Sequence, residues 1–149
     1  MNFNLTEDQK AFADTARQFA ETELAPFAAE WDRTHHFPKD VLQKAGELGF
    51  CSLYTPEENG GMGLSRLDSS IIFEQLSMGC TATTAMLTIH NMATWMIANW
   101  GTSDAKAEWM EHLVTGQKLA SYCLTEPGSG SRTRAKARTQ RSMFTISGS

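Results

Sequence analysis

Residues 122–131 read Tyr122-Cys123-Leu124-Thr125-Glu126-Pro127-Gly128-Ser129-Gly130-Ser131, and they mark the point where a helical chain becomes β-structure. The residues from Leu119 to Thr125 favour an extended, partly buried strand. Pro127 then removes a backbone donor, and the glycines on both sides of Ser129 allow a tight turn. Such a strand and turn expose N–H groups and hydroxyls that suit a ligand with carbonyl or phosphate oxygens. The same composition is also typical of an ordinary surface turn, so the pattern alone leaves both interpretations open.

The composition predicts one globular domain with an acidic body and a basic end. The 149 residues are 41% hydrophobic and carry a formal charge of −4, which is enough for a substantial core. Residues 1–131 hold 8 Lys or Arg against 17 Asp or Glu, whereas residues 132–149 hold five basic residues and no acid. The acidic body argues against nucleic-acid binding. The basic end is typical of a solvated segment, with anion binding as the alternative.

Cysteine spacing and hydropathy indicate the compartment. Cys51, Cys80 and Cys123 are far apart and form no CxxC motif, which predicts neither a disulfide framework nor a zinc site. The polar, acidic first ten residues do not resemble a signal or transit peptide. The most apolar run, residues 92–100, is too short to span a bilayer. We therefore expect a protein without a membrane span, in the cytoplasm or, for a mature eukaryotic form, in the mitochondrial matrix.

Helical signals fill the chain before the strand. Thr6 and Gln9 form a capping box, and the apolar spacing that follows predicts a helix from Glu7 to Glu23. A glycine-rich loop is expected over residues 56–63. Further helices are predicted over about 27–32, from Pro38 to a left-handed cap at Gly49, over 65–78, from 82 to 100 after a break at 80–84, and from 103 to 114 before a stop at Gly116. The helix over 82–100 is apolar over much of its circumference, which predicts a place at the centre of a bundle.

No spacing of polar residues predicts a catalytic or metal centre. His35 and His36 are adjacent but have no third ligand nearby, so we interpret them as solvated. His90 is interpreted as a buried histidine satisfied by a neighbour, with a pocket role as the alternative, and His112 as a surface residue. Glu126 lies beside the turn, but a single acid does not make a general base.

Several methionines and tryptophans lie on the apolar helix, and among them Met92 precedes Trp95 by three residues and Met96 by four. Core packing is the simplest interpretation of these residues. Methionine-rich faces also line pockets for flexible acyl groups, and this alternative stays open. The Gly60-Gly61-Met62-Gly63 run lacks the Lys-Ser/Thr pair of a phosphate loop, so it predicts a turn.

The order of these motifs resembles that of the acyl-CoA dehydrogenases. The resemblance covers residues 1–131 and rests on the capped acidic first helix together with Ala25-Pro26, Glu30-Trp31-Asp32, Phe37-Pro38, Glu47-Leu48-Gly49-Phe50, residues 56–63 and residues 122–131. The isobutyryl-CoA dehydrogenase branch is the most similar at residues 63–68, 79–81 and 89–92.

The resemblance implies a mainly α fold, with an N-terminal helical bundle over residues 1–117 and the first strands of a middle β domain over residues 118–149. It also implies an FAD-dependent enzyme that introduces a trans double bond between Cα and Cβ of a short branched-chain acyl-CoA, giving a 2-enoyl-CoA. Electron-transfer flavoprotein would accept the electrons of the full-length enzyme, which would be a homotetramer.

The resemblance further implies which residues meet the ligands. Flavin contacts are assigned to Tyr122, Cys123, Leu124, Thr125, Glu126, Pro127, Gly128, Ser129, Gly130 and Ser131. Leu124 and Thr125 would face the pyrimidine edge of the isoalloxazine, where donors stabilise negative charge. Ser131 would also reach the thioester arm of the substrate. The substrate-binding set is completed by Met92, Trp95 and Met96, which would help to close the acyl pocket.

The sequence departs from the family after Ser131. Where the family continues with Asp and small residues, this chain has Arg132-Thr133-Arg134-Ala135-Lys136, and only residues 143–149 again resemble the next strand. A small deletion or a local change of reading frame would produce this pattern. The resemblance places the catalytic glutamate in a C-terminal bundle, so no residue here is assigned as the base and we expect the isolated chain to be almost inactive. The alternative is a non-catalytic helical fragment that folds alone or pairs with a full-length relative.

Overall fold

The computed structural model describes residues 4–122 and 144–147. Within these residues, helices precede one antiparallel pair of strands: α1 Glu7–Phe19, α2 Ala28–Thr34, α3 Lys39–Glu47, α4 Arg66–Gly79, α5 Thr81–Trp100, α6 Ser103–Val114, β1 Leu119–Tyr122 and β2 Phe144–Ser147. Leu119 pairs with Ser147 and Tyr122 with Phe144. The mainly α fold with a β start is therefore confirmed. Over residues 4–122, every helix is too short or too polar to cross a membrane.

The first helix begins as the sequence predicts and ends differently. The Thr6 side chain accepts a hydrogen bond from the Gln9 amide while the Gln9 side chain accepts one from the Thr6 amide, which completes the capping box. The α-helix ends at Phe19, and Ala20–Leu24 continue as a π-helical turn. The extra residue in this turn cannot be seen in a pattern based on 3.6 residues per turn.

The remaining boundaries agree with the predictions to within a few residues. Pro38 is the N-cap of α3 rather than its first residue. Gly49 and Gly116 have φ values of 80° and 71°, as the predicted left-handed stops require. The predicted break over residues 80–84 is wrong, because only Cys80 leaves the helical conformation. Thr84 donates its hydroxyl to the Cys80 carbonyl, so a threonine that favours a break is satisfied inside the helix.

Two apolar clusters form the core, and α5 joins them. The larger cluster lies among α1, α3, α4 and α5 and includes Leu24, Leu42, Leu53, Ile72, Leu76 and Leu87. The smaller one lies among α5, α6 and β1 and includes Ala93, Ile97, Met110, Leu113 and Ala120. Each fully buried leucine contributes about 2 kcal/mol of transfer free energy. Helix α5 packs against α4, α6 and β1. The predicted central position in the bundle is therefore correct for one face of α5, while the other face is partly exposed.

Candidate functional site

The opposite face of α5 carries the predicted acyl-pocket residues. Met92, Trp95 and Met96 are all partly exposed, whereas Leu87 and His90 on the packed face are buried. Residues three and four positions apart are neighbours on a helix, so the three side chains form one surface, which we call the α5 face. The structure therefore brings these predicted residues together and places them outside the core.

Aromatic and cationic groups fix the indole ring at the centre of the α5 face. The guanidinium carbon of Arg66, the first residue of α4, lies 4.9 Å from the ring centroid of Trp95 and 3.5 Å from that of Tyr54. The Trp100 ring meets Trp95 edge-on, with 5.0 Å between centroids. Stacking of a guanidinium between two rings is a favourable cation–π arrangement. No spacing signal in the sequence links Arg66 or Tyr54 to Trp95, because they are far apart in the chain, whereas Trp100 lies on the same helix as Trp95.

Strand β1 supplies the described part of the predicted flavin segment. Tyr122 ends β1, which packs on α5, and its side chain is half-buried. The other residues predicted to contact flavin lie outside the described residues: Cys123, Leu124, Thr125, Glu126, Pro127, Gly128, Ser129, Gly130 and Ser131. For them the assignment stays a prediction.

His90 joins three elements from a fully buried position. Its Nδ1 accepts a hydrogen bond of 3.0 Å from the Ala120 amide of β1, so Nδ1 carries no proton. Nε2 therefore carries the proton and donates it to the Leu113 carbonyl of α6, at 2.9 Å. Burial lowers the pKa of His90 from 6.5, which favours this neutral form. The predicted buried histidine is confirmed. Its two shorter bonds reach Leu113 and Ala120 on other elements, Thr94 of α5 lies 3.4 Å from Nε2, and the adjacent Asn91 is not a partner.

Asn91 anchors the loop that precedes α4. Its Nδ2 donates to the carbonyls of Phe50 and Leu87, at 2.7 and 2.9 Å, and its Oδ1 accepts from the Leu53 amide at 2.7 Å. The side chain is completely buried. Because Tyr54 follows Leu53, these bonds also place the ring on which Arg66 stacks.

A separate cavity lies away from the α5 face. Its volume is about 310 Å³, and its lining includes Trp31, His36, Phe37, Cys80 and Met86. Of the predicted site residues that the structure describes, neither Tyr122 nor Met92, Trp95 and Met96 lines it. His35 and His36 are exposed at its edge, and a search of the described residues finds no group of three or more side chains that could hold a metal ion. His112, predicted at the surface, is half-buried and bonded to Gln117.

Comparison with known proteins assigns the family. The model of the acyl-CoA dehydrogenase N-terminal domain matches residues 6–117. This chain belongs to the acyl-CoA dehydrogenase family. Mitochondrial isobutyryl-CoA dehydrogenase of Bos taurus is 51% identical over 130 residues, which are 87% of this chain and 31% of that protein. The chain thus spans about a third of the length of the curated relatives it matches.

Solved structures of family members share the same architecture. The glutaryl-coenzyme A dehydrogenase–glutaryl-CoA complex superposes with a TM-score of 0.81 at 30% identity, covering 88% of this chain and 34% of that one. An acyl-CoA dehydrogenase complexed with FAD from Bacillus anthracis gives a TM-score of 0.76 at 34% identity, covering 85% of this chain and 22% of that one. The helical arrangement described above is therefore the N-terminal fold of this family.

Proposed function

We propose that this chain is the N-terminal part of an FAD-dependent dehydrogenase that converts a short branched-chain acyl-CoA into the 2-enoyl-CoA. The observation that carries the proposal is the half-buried α5 face, on a helix whose other face packs against β1, in a chain 51% identical to an isobutyryl-CoA dehydrogenase. An apolar wall, on the same helix that supports the first strand of a segment rich in backbone donors, suits a ligand with an acyl chain at one end and a polar thioester at the other.

Two parts of the chain have different roles in this function. Residues 1–117 form the helical domain, and residues 118–149 begin the β domain. When bound, FAD supplies the acceptor for a hydride from Cβ of the substrate. Tyr122 and the residues up to Ser131 orient that cofactor through main-chain amides and hydroxyls, and Met92, Trp95 and Met96 keep water from the acyl chain. We assign the catalytic base to none of these residues.

The described residues fit such ligands. The three side chains of the α5 face are uncharged, and Arg66 beside them lies against the rings of Tyr54 and Trp95 while staying exposed. A charge buried against an acyl chain would be costly, and the exposure of Arg66 lets its guanidinium stay hydrated. We also propose that electron-transfer flavoprotein accepts the electrons and that the whole enzyme is a homotetramer. Its location would be the cytoplasm or the mitochondrial matrix.

A chimeric enzyme tests the proposal. Residues 1–131 of this chain replace the corresponding part of bovine isobutyryl-CoA dehydrogenase, which supplies the remaining two thirds. We expect the chimera to bind FAD and to oxidise isobutyryl-CoA with an artificial electron acceptor. A folded chimera that carries flavin and leaves isobutyryl-CoA and butyryl-CoA unchanged would overturn the proposal.

Substitutions on the α5 face test its part in acyl binding. In the chimera, Met92→Ala and Trp95→Ala should change the preference among acyl chains by about tenfold or more in kcat/KM, because each removes apolar contact worth roughly 1–3 kcal/mol. Met78→Ala is the matched control, since Met78 lies on α4 and is 74% exposed. Equal kcat/KM values in all three variants would show that the α5 face does not contact the acyl chain.

A further inference from the structure

We propose that His90 is the positioning residue of strand β1: its unprotonated Nδ1 holds Ala120, and with it Tyr122, at a fixed place on α5. This inference rests on the proposed function only in the role of Tyr122 as the first flavin-contacting residue. The hydrogen bonds themselves are independent of any ligand.

The geometry makes His90 the polar link between the helices and the strand. Ala120 is buried in an apolar cluster, and among the described residues its amide donates to Nδ1, while the buried Thr94 hydroxyl lies 3.4 Å from Nε2. A buried amide without an acceptor is unfavourable, so the ring fixes the strand both along its length and in its distance from α5. The second ring nitrogen is tied to Leu113, which prevents rotation of the imidazole.

Protonation of the ring would release the strand. A proton on Nδ1 turns the acceptor into a donor, so two N–H groups would then face each other between His90 and Ala120. The titratable or charged groups on the elements packed against α5 are Arg66, Asp68 and Glu74 of α4, Asp104, Lys106, Glu108, Glu111 and His112 of α6, and Tyr122 of β1, with Lys118 just before that strand. Lys118 lies over the Trp109 ring and His112 bonds Gln117. Burial alone lowers the pKa of His90, and no charged neighbour contributes. The strand is therefore held most firmly when the ring is neutral.

Two substitutions distinguish the two hydrogen bonds of the His90 ring, one to Ala120 and one to Leu113. The amide of asparagine can replace Nδ1, so His90→Asn keeps an acceptor for Ala120. The amide of glutamine reaches the position of Nε2, so His90→Gln keeps the donor to Leu113 and loses the acceptor for Ala120. The pair therefore distinguishes support of β1 from simple filling of the core.

Amide hydrogen exchange in the complete 149-residue chain provides the measurement. We expect the protection of Ala120 and Tyr122 to fall roughly ten- to thirtyfold in His90→Gln, as loss of one buried hydrogen bond implies. His90→Asn should stay within about threefold of the wild type. Ala16 in α1, which is completely buried, is the internal reference for global stability. Wild-type protection of Ala120 should also fall on acidification, whereas that of His90→Asn should not.

Three results would overturn the inference. The first is equal protection of Ala120 in the wild type and His90→Gln, and the second is equal loss in both variants with Ala16 unchanged. The third is a nitrogen NMR spectrum of the wild type that shows the proton on Nδ1, which applies even if neither variant folds. Because no flavin is present in these measurements, their outcome is independent of whether the chimera binds FAD.

Discussion

At the scale of single residues, Asn91 is a side chain whose removal should be costly. Its three hydrogen bonds satisfy the Phe50 carbonyl, the Leu53 amide and the Leu87 carbonyl in the interior. Asn91→Ala leaves the first two without their partner, and we expect a loss of about 2–4 kcal/mol in the free energy of unfolding. Urea denaturation measures this change.

Asn99→Ala is the matched control for that substitution. Asn99 lies on the same helix, is exposed, and makes one bond to the Trp95 carbonyl within the helix. Its removal should change the free energy of unfolding by less than about 0.5 kcal/mol. Similar losses at both positions would show that Asn91 acts through helix propensity and not through the loop it anchors.

These residues also show the limit of prediction from sequence. The burial of His90 follows from its place among apolar residues, and the α5 face follows from helical spacing. The hydrogen-bond partners of His90 and Asn91 cannot be predicted in this way, because the packing of other elements brings Ala120 and Leu53 to them. The stack of Arg66 on Tyr54 and Trp95 is hidden for the same reason.

At the scale of elements, the turn after α6 depends on Gly116. This residue has a φ of 71°, and an added Cβ would lie 3.0 Å from the Cys51 sulfur and 3.1 Å from the Leu42 carbonyl oxygen. Gly116→Ala therefore combines backbone strain with a contact in the core, and we expect a loss of about 2–4 kcal/mol. Thermal or chemical unfolding provides the test.

Gly60→Ala measures the cost of backbone strain alone, without a close contact in the core. Gly60 has a similar φ of 83°, but an added Cβ would meet only the Val114 side chain, at the ordinary contact distance of 3.4 Å. We expect about 1 kcal/mol for this variant. If Gly116→Ala costs no more than Gly60→Ala, the close approach of the α6 turn to Cys51 and Leu42 does not restrict the fold.

The elements differ in how far the sequence predicts them. The Thr6 capping box and the limits of α6 are determined by neighbouring residues, so local rules find them. The π-helical turn at Ala20–Leu24 and the short break at Cys80 depend on how α1, α4 and α5 meet. Strand β1 is predicted from its own residues, but its position on α5 is set by His90.

At the scale of the whole molecule, stability should respond to pH in two separate ranges. Burial lowers the pKa of His90 from 6.5, so the unfolded chain binds a proton first as the pH falls. Stability should therefore decrease from about pH 6.5 down to the folded-state pKa of His90. Hydrogen bonds from Ser65 and Gln9 lower the pKa of Asp68 from 3.8, so its contribution is present above that pH and is lost below it.

Urea denaturation over a series of pH values separates the two groups. His90→Asn should flatten the decrease that begins near pH 6.5, and Asp68→Asn should flatten only the decrease below about pH 4. A wild-type slope that survives His90→Asn would show that other groups cause the upper decrease.

The central claim is that this chain provides one wall of an acyl-CoA dehydrogenase site. Anaerobic addition of isobutyryl-CoA to the flavin-loaded chimera, followed by absorbance spectroscopy, tests it most directly. We predict that the flavin absorbance is bleached by isobutyryl-CoA at a rate that falls in Trp95→Ala and is unchanged in Met78→Ala. A chimera that folds and binds FAD, but whose absorbance stays constant with isobutyryl-CoA, would contradict the account.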